Sequence, residues 1–247
     1  MFSLAQTGKG TTGSYAEIAH VDERYLYHLP KTLSFTIGAS FPMVGFAAYT
    51  MLTQRVCIPS NGTVLVYSAA GGVGSTLVQL IKAIFPHVTV IGTCSDKRKE
   101  LTIRKLGADD VVTMDGGSFV DRMHDVCPSG FDVIFDPMGQ KYFDRNLLLF
   151  RPVTGILCSY GTYTGAITDP NVVAKLRKNN LTLSGFLMWP LLENKRFCQK
   201  VFTRLFHLLE AKKLVPLIDQ IFPLQEVNKA IMRIRKRENI GKVLLRP

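Results

Sequence analysis

Closely spaced cysteines are missing from this sequence of 247 residues. Consecutive cysteines stand more than thirty residues apart, and the histidines are equally scattered. The five cysteines are Cys57, Cys94, Cys127, Cys158 and Cys198. Structural zinc sites and disulfide-rich domains both depend on cysteines that are grouped along the chain. The sequence therefore predicts no metal site and favours a reducing compartment.

An apolar leader and an unbroken membrane-spanning run are also missing. The first residues, MFSLAQTGK, lack the apolar core of a secretory signal. No charged residue falls between Lys31 and Arg55, and a run of that length prompts a transmembrane interpretation. Serines, threonines, glycines and Pro42 break it, so a buried helix at a domain junction explains the run better. We expect a cytoplasmic protein, and peripheral membrane association stays open.

Acidic residues are scarce in the last third of the chain. Residues 1–174 hold 14 lysines and arginines against 14 aspartates and glutamates, whereas residues 175–247 hold 16 against 5. The whole net charge of +11 therefore lies in the last third. Such asymmetry indicates an anionic partner, either an acidic surface such as a membrane or a phosphate-bearing ligand, and a solvated basic face is the alternative. We expect no nucleic-acid partner.

The sequence does contain an apolar strand that runs into a glycine-rich turn. Val64–Ser68 predicts the strand, Ala69–Gly74 the turn, and Ser75–Ala83 the start of a helix. Glycines let the backbone approach a pyrophosphate closely, and the helix N-terminus offers free N–H groups and positive charge. Ala69 replaces the first glycine of the strict fingerprint, so an ordinary strand-turn-helix is the alternative. A second strand, Val88–Thr93, follows about 25 residues later and favours a nucleotide-binding βαβ unit.

Strands and helices alternate along the middle of the chain. The predicted strands are Val64–Ser68, Val88–Thr93, Val111–Thr113, Asp132–Asp136, Gly155–Tyr160 and Leu181–Ser184. Helical stretches such as Lys97–Leu106 and Phe143–Phe150 separate them. This alternation predicts an α/β fold with a doubly wound parallel sheet.

The two ends of the chain have a different character. Near the start, Gly8–Gly13 predicts a flexible turn and Tyr15–Ala19 alternates like an edge strand. Near the end, Glu193–Lys213 and Gln225–Arg237 predict amphipathic helices, and Lys242–Leu245 predicts a closing strand.

Several segments resemble, in order, the medium-chain dehydrogenase/reductase superfamily. They are Gly13–Glu17, Leu29–Pro30, Ala47–Tyr49, Ala69–Gly74, Lys105–Asp109 and Asn239–Leu245. The turn Ala-Ala-Gly-Gly-Val-Gly is similar to that of the zinc-free quinone oxidoreductase branch. Within it, Phe135–Gly139, Pro216–Asp219 and Glu238–Leu245 resemble the synaptic vesicle membrane protein homologues, also called vesicle amine transport protein homologues. The resemblance implies zinc-independent hydride transfer from NADP(H) to a quinone or activated alkene, and an association with membranes.

The resemblance also implies a domain organisation. Members of the family begin with a GroES-like β-barrel, and this chain starts near the end of that barrel, as a fragment, an isoform or a protein that has lost the piece. We therefore expect a remnant of the barrel at residues 1–33, a Rossmann dinucleotide-binding domain at 34–190, and C-terminal helices with a return to the barrel at 191–247. The resemblance further implies a homodimer.

The preferred cofactor depends on the end of the second predicted strand. NAD-binding proteins carry there an acidic residue that binds the ribose 2′-hydroxyl, and the resemblance places Cys94 at that position. Lys99 matches a quinone-reductase lysine that pairs with a 2′-phosphate, whereas Asp96 could reach the ribose and favour NAD. NADP(H) is therefore the expected cofactor. The resemblance implies cofactor contacts by Gly71, Gly72, Val73, Gly74, Ser95, Lys99, Tyr160, Gly161, Phe186 and Asn239.

No catalytic acid can be identified in the sequence, since polar groups of the barrel half of the family lie outside this chain. Three interpretations stay open. The first is an NADP(H)-dependent oxidoreductase of the quinone reductase type. The second is a membrane- or vesicle-associated protein that binds the cofactor and has little or no catalytic activity, and a truncated product without activity is a third.

Overall fold

The structure is a computed structural model that describes residues 1–4, 13–114 and 118–247. Strands β1 to β10 of this part are Phe2–Ser3, Leu26–Tyr27, Thr63–Val66, Thr89–Cys94, Asp110–Thr113, Val133–Asp136, Gly155–Ser159, Leu181–Gly185, Ile218–Pro223 and Lys242–Arg246. Helices α1 to α9 of the same part are Phe35–Ser40, Pro42–Gln54, Gly72–Ile84, Glu100–Lys105, Phe119–Val126, Gln140–Leu147, Val172–Lys178, Lys195–Glu210 and Val227–Arg235.

A six-stranded parallel sheet forms the centre of the molecule. Its strand order is β5-β4-β3-β6-β7-β8. Strand β3 pairs with β4 on one side and with β6 on the other, so the direction of winding reverses between β3 and β6. In doubly wound sheets the crevice at this reversal is where ligands bind. The predicted α/β fold with a doubly wound parallel sheet is confirmed.

Side chains of β3 alternate between two hydrophobic layers. Val64 and Val66 belong to a core that also contains side chains of α2, α3 and α8. Leu65, together with Tyr67 just after the strand, belongs to a second core on the opposite face, against α5 and α6. Burial on both faces explains why the strand is a continuous apolar run without polar alternation.

Two small sheets flank the central one. Strands β1 and β2 pair antiparallel, and β9 and β10 pair in parallel around α9. Within the described residues neither pair has a third strand. The division into a barrel remnant and a Rossmann domain therefore stays a prediction.

Two local predictions are wrong. Tyr15–Ala19 forms bends, not an edge strand, because its side chains are almost all exposed and no strand lies beside it. The helix predicted at Phe143–Phe150 starts and ends three residues earlier, as α6, and Phe150 forms an isolated parallel bridge with Phe131. The turn predicted at Gly8–Gly13 lies, apart from its last residue, outside the described residues.

The uncharged run between Lys31 and Arg55 folds into two short helices, α1 and α2. The second packs against α3 and α8, where Phe46 and Met51 are fully buried. None of the helices described is long and apolar enough to cross a membrane.

Candidate functional site

A cavity of about 320 Å³ lies at the carboxyl ends of β3, β4 and β6, at the reversal of the sheet. It is lined by Ser68, Ala70, Gly71, Gly72, Val73, Gly74, Cys94, Ser95, Lys99, Met114, Pro137, Met138, Tyr160, Tyr163, Ile234, Arg237 and Asn239. The residues between β9 and β10 close it from the side opposite the sheet. The site is therefore built from the central sheet and from the segment that joins β9 to β10.

The floor of the cavity is the glycine-rich turn between β3 and α3. Ser68 adopts a left-handed backbone with φ of 52°, which points its carbonyl oxygen toward the first turn of α3. A Cβ atom at Gly74 would lie 2.3 Å from that oxygen, so only glycine fits there. Helix α3 begins at Gly72 without a side-chain cap. Its first N–H groups and the positive end of its dipole are therefore available to an anion.

Lys242 approaches this turn from β10. A Cβ atom at Gly72 would lie 2.9 Å from Lys242 Cδ, so the lysine stem packs directly against the start of α3. Burial lowers the pKa of Lys242, and no charged group within the described residues offsets that effect. A desolvated cation beside a helix N-terminus is unfavourable unless an anion joins it. Sequence reasoning placed Lys242 only in a closing strand, although it follows Asn239 in a segment that carried the resemblance.

The end of β4 carries no free acid toward the cavity. Cys94 is its last residue and is buried, with its Sγ atom 3.3 Å from the carbonyl oxygen of Asp96. The Asp96 carboxylate caps the short helix that follows, by accepting the backbone N–H of Arg98 at 2.8 Å, and it also binds the Arg98 guanidinium. This contact holds the pKa of Asp96 at about 2. Asp96 is therefore engaged away from the cavity that Cys94 lines.

Lys99 is buried at the cavity edge and joins the segment after β4 to the segment between α9 and β10. Its Nζ atom donates to the backbone carbonyl oxygens of Arg237 and Asn239, the latter at 2.8 Å. Burial lowers the pKa of Lys99, against the opposing effect of Asp96. An ammonium group has three N–H donors, so two of them hold the segment that closes the cavity.

Arg237 is a second cation at the cavity that sequence reasoning did not place there. Its guanidinium lies over the ring of Tyr163, 4.8 Å from the centroid, and donates to the phenolic oxygen at 2.9 Å. The sequence showed Arg237 only as part of a basic amphipathic helix. Its position depends on a left-handed backbone, with φ of 56°, just after α9.

The wall opposite the glycine turn follows β6. Pro137 and Met138 line the cavity, and the carboxylate of Asp136 behind them accepts the backbone N–H of Met138 at 2.6 Å. Asp136 is fully buried, and this burial raises its pKa to about 6. The side chain of Asn146 donates to the same carboxylate at 3.1 Å. A buried carboxylate thus fixes the turn that forms this wall.

Eight of the ten expected cofactor contacts line this cavity: Gly71, Gly72, Val73, Gly74, Ser95, Lys99, Tyr160 and Asn239. The other two lie nearby. Gly161 sits behind the wall, where a Cβ atom would be 2.6 Å from the carbonyl oxygen of Pro137. Phe186 packs against the hydrophobic core. Their roles toward a cofactor stay predictions.

Some basic residues of the C-terminal third form ion pairs with acidic side chains. Arg233 pairs with the largely buried carboxylate of Asp219, and Lys229 pairs with Glu226.

Within the described residues, no group of three or more histidine, cysteine or acidic side chains is placed to hold a metal ion.

Comparison with known proteins gives a consistent set of relatives. The synaptic vesicle membrane protein VAT-1 homolog-like of Mus musculus is 30% identical over 252 residues, which cover 94% of this chain and 59% of that protein. The quinone oxidoreductase of Pseudomonas aeruginosa is 27% identical over 96% of this chain and 73% of its own length. The crystal structure of Escherichia coli quinone oxidoreductase complexed with NADPH shares the fold, with a TM-score of 0.85, 24% identity, and coverage of 94% of this chain and 72% of that one.

This chain is shorter than these relatives, because it spans between 51% and 63% of the VAT-1 homologues that it matches. The family described as zinc-binding dehydrogenase matches residues 106–245, more than half of the chain. The resemblance that the sequence suggested is confirmed: the chain belongs to the zinc-binding dehydrogenase family of the medium-chain dehydrogenase/reductase superfamily, near the VAT-1 homologues and the quinone oxidoreductases.

Proposed function

We propose that the chain binds NADP(H) in the cavity at the sheet reversal and acts as a zinc-independent oxidoreductase of the quinone reductase type. The observation that carries the proposal is the glycine turn. At Gly74 the backbone leaves no room for a side chain, and the uncapped start of α3 faces the cavity. This is the cradle that a pyrophosphate group requires.

The charges around the cavity support NADP(H) over NAD(H). Cys94 replaces the acid that would repel a 2′-phosphate, and Asp96 is already bound to Arg98. Lys99 retains one N–H donor, and the Arg237 guanidinium lies at the same rim. Two cations without a free carboxylate between them suit a phosphate monoester.

When bound, the nicotinamide supplies the hydride, and the chain holds and orients it. Tyr160, Pro137 and Met138 present a mainly apolar wall, which excludes water beside the reacting ring. The quinone or activated alkene as substrate is supported by the names of relatives, which include a quinone oxidoreductase and a 2-haloacrylate reductase. Because these relatives are longer, the substrate belongs to the proposal.

Fluorescence titration of the purified chain with NADPH and NADH tests cofactor binding. We expect tighter binding of NADPH, and a loss of this preference in Arg237→Ala, with Arg235→Ala on the exposed end of α9 as the matched control. Equal affinity for both cofactors in the unaltered chain would contradict the choice of NADP(H). Oxidation of NADPH on addition of a naphthoquinone, followed at 340 nm, tests the reaction itself.

The alternative function at a membrane is favoured by one observation, the charge of α8. Lys200 and Arg204 lie one turn apart on its exposed side, and within the described residues neither forms an ion pair with an acidic side chain. Each basic residue near an anionic bilayer contributes about 1 kcal/mol. Sedimentation with phosphatidylserine vesicles at low and high salt, with charge reversal of both residues, distinguishes this function from simple solvation.

A homodimer completes the proposed assembly. Strand β8 is an edge of the central sheet and pairs only with β7 among the described strands. Leu187, just beyond it, is exposed. An unpaired edge beside an apolar side chain can add a strand from a second copy. Light scattering after gel filtration measures the mass in solution, and a monomer at micromolar concentration would reject the dimer.

A further inference from the structure

Three buried polar side chains are linked by hydrogen bonds behind the cavity. They connect the glycine-rich turn after β3 to the wall that follows β6. The phenolic hydroxyl of Tyr67 donates to Asn146 Oδ1 at 2.8 Å, and Asn146 Nδ2 donates to Asp136 Oδ2 at 3.1 Å. All three residues are fully buried. They come from three elements, since Tyr67 follows β3, Asp136 ends β6 and Asn146 lies on α6.

Tyr67 and Asp136, the two ends of this row of linked side chains, each fix one side of the cavity. One side is the glycine-rich turn, and the other is the wall that follows β6. Tyr67 directly precedes Ser68, whose left-handed backbone sets the carbonyl oxygen against Gly74 in the pyrophosphate turn. Asp136 accepts the backbone N–H of Met138 and so shapes the opposite wall. The two walls belong to neighbouring strands, and the distance between them sets the width of the cavity.

We propose that Asn146 is a positioning residue of the nucleotide cavity, which holds the two walls at a fixed separation by linking Tyr67 to Asp136. The proposal rests on the proposed function, because it requires a dinucleotide in the cavity. Asn146 does not line the cavity and acts through its partners. Its amide suits the role, since the oxygen accepts from a hydroxyl while the NH₂ group donates to a carboxylate.

The link also makes the cavity sensitive to pH. The ionised Asp136 carboxylate accepts N–H donors from both the wall and Asn146, and a protonated carboxyl holds them less well. Burial raises the pKa of Asp136 to about 6. The facing titratable groups, Tyr67, Cys158 and Tyr160, stay neutral in this range because burial raises the pKa of each. The charged group that acts on Tyr67 from α6 is the guanidinium of Arg145, which lowers the pKa of the phenol against the larger effect of burial. The wall should therefore loosen as the pH falls through about 6.

NADPH titrations between about pH 5.5 and pH 8 test the link with Asn146→Ala and Tyr67→Phe. We expect each variant to bind NADPH about fivefold to tenfold more weakly at pH 7.5, as for the loss of one or two buried hydrogen bonds. In Asn146→Ala the midpoint of the pH dependence should move to higher pH, because the ionised carboxylate has lost a donor. Tyr142→Phe is the matched control, since its ring packs on Tyr67 at 5.6 Å outside the link.

The cofactor complicates the pH profile, because a phosphate monoester also titrates near pH 6. Asp136→Asn supplies the baseline, since it keeps the titration of the cofactor and removes that of the carboxyl group. A midpoint in Asn146→Ala equal to that of the unaltered chain, after this subtraction, would overturn the proposal. So would equal affinity in Tyr67→Phe, which removes one oxygen atom and serves if Asn146→Ala fails to fold. Failure of the unaltered chain to bind NADPH at any pH would instead reject the proposed function, and the link with it.

Discussion

The Nζ atom of Lys99 lies 2.8 Å from the backbone carbonyl oxygen of Asn239, across 140 residues of sequence. This hydrogen bond joins the rim of the central sheet to the segment between α9 and β10. The same nitrogen also donates to the carbonyl oxygen of Arg237. A side chain expected to meet a phosphate therefore has a structural role as well.

Removing the Lys99 ammonium should cost both stability and binding. Lys99→Met keeps the apolar stem but leaves two carbonyl groups without their donor, which we expect to lower the free energy of unfolding by about 1–3 kcal/mol. Urea denaturation measures this change, and NADPH titration should show weaker binding. Lys97→Met, an exposed lysine of the same short helix, is the control. Equal stability of the two variants would show that the hydrogen bonds contribute little.

Two of the three glycines of the glycine-rich turn, Gly72 and Gly74, should differ in tolerance. A Cβ atom at Gly74 meets the backbone of Ser68 at 2.3 Å, whereas one at Gly72 meets the flexible Lys242 side chain at 2.9 Å. We expect Gly74→Ala to destabilise the chain by about 1–3 kcal/mol through overpacking, and Gly72→Ala to cost less. Thermal unfolding of both variants checks the order. The reverse order would mean that the turn differs in solution.

Asp136 should make stability fall with rising pH. Its folded pKa of about 6 lies above the ordinary aspartate value of 3.8, so the folded chain binds more protons than the unfolded chain between these values. Ionisation of Asp136 therefore lowers the free energy of unfolding by about 3 kcal/mol. This loss applies in full above pH 6 and is absent below pH 4. Asp136→Asn should remove this dependence. Urea denaturation from pH 4.5 to 7.5 gives the difference between the two proteins, and a constant difference would contradict the expectation.

The ion pair of Arg233 with Asp219 should contribute more than an exposed one. Burial acts to raise the pKa of Asp219, but the Arg233 guanidinium outweighs it and holds that pKa below its usual range. Arg233→Ala should therefore cost about 1–3 kcal/mol at neutral pH, and Lys229→Ala, which breaks an exposed pair with Glu226, about 0.5 kcal/mol or less. The Arg233 effect should disappear as Asp219 becomes protonated at low pH. An equal effect at pH 7 and at a pH low enough to protonate Asp219 would assign it to packing.

Local sequence patterns predicted the centre of the molecule well. The apolar run before Gly71 and the strand at Val88–Thr93 identified β3 and β4, because parallel strands buried on both faces show themselves by composition alone. The edge strand predicted at Tyr15–Ala19 does not form, because a strand depends on more than its own composition. An alternating pattern makes a strand only where a neighbour supplies hydrogen bonds, and the sequence does not state which neighbours exist.

Some features of the candidate site could be predicted from the sequence, and others depend on contacts between residues far apart in it. The glycine turn follows from the spacing of nearby residues, and Lys99 was identified by the family resemblance. The contact of Arg237 with Tyr163 and the link through Asn146 join residues that are 74 and 79 positions from their partners. Such pairs depend on the order of strands in the sheet, which a single sequence does not reveal.

The closure of the cavity by residues near Asn239 has a consequence for synthesis of the protein. The glycine-rich turn leaves the ribosome long before the segment that covers it, and the N–H of Gly241 reaches the carbonyl oxygen of Ala70 at 2.7 Å only once the residues before β10 have been made. A nascent chain that lacks this segment therefore has the glycine-rich turn but not the residues that cover it. Binding of a nucleotide should therefore be delayed until this segment has emerged, and a variant cut before Asn239 should fold its sheet but leave this side of the cavity open.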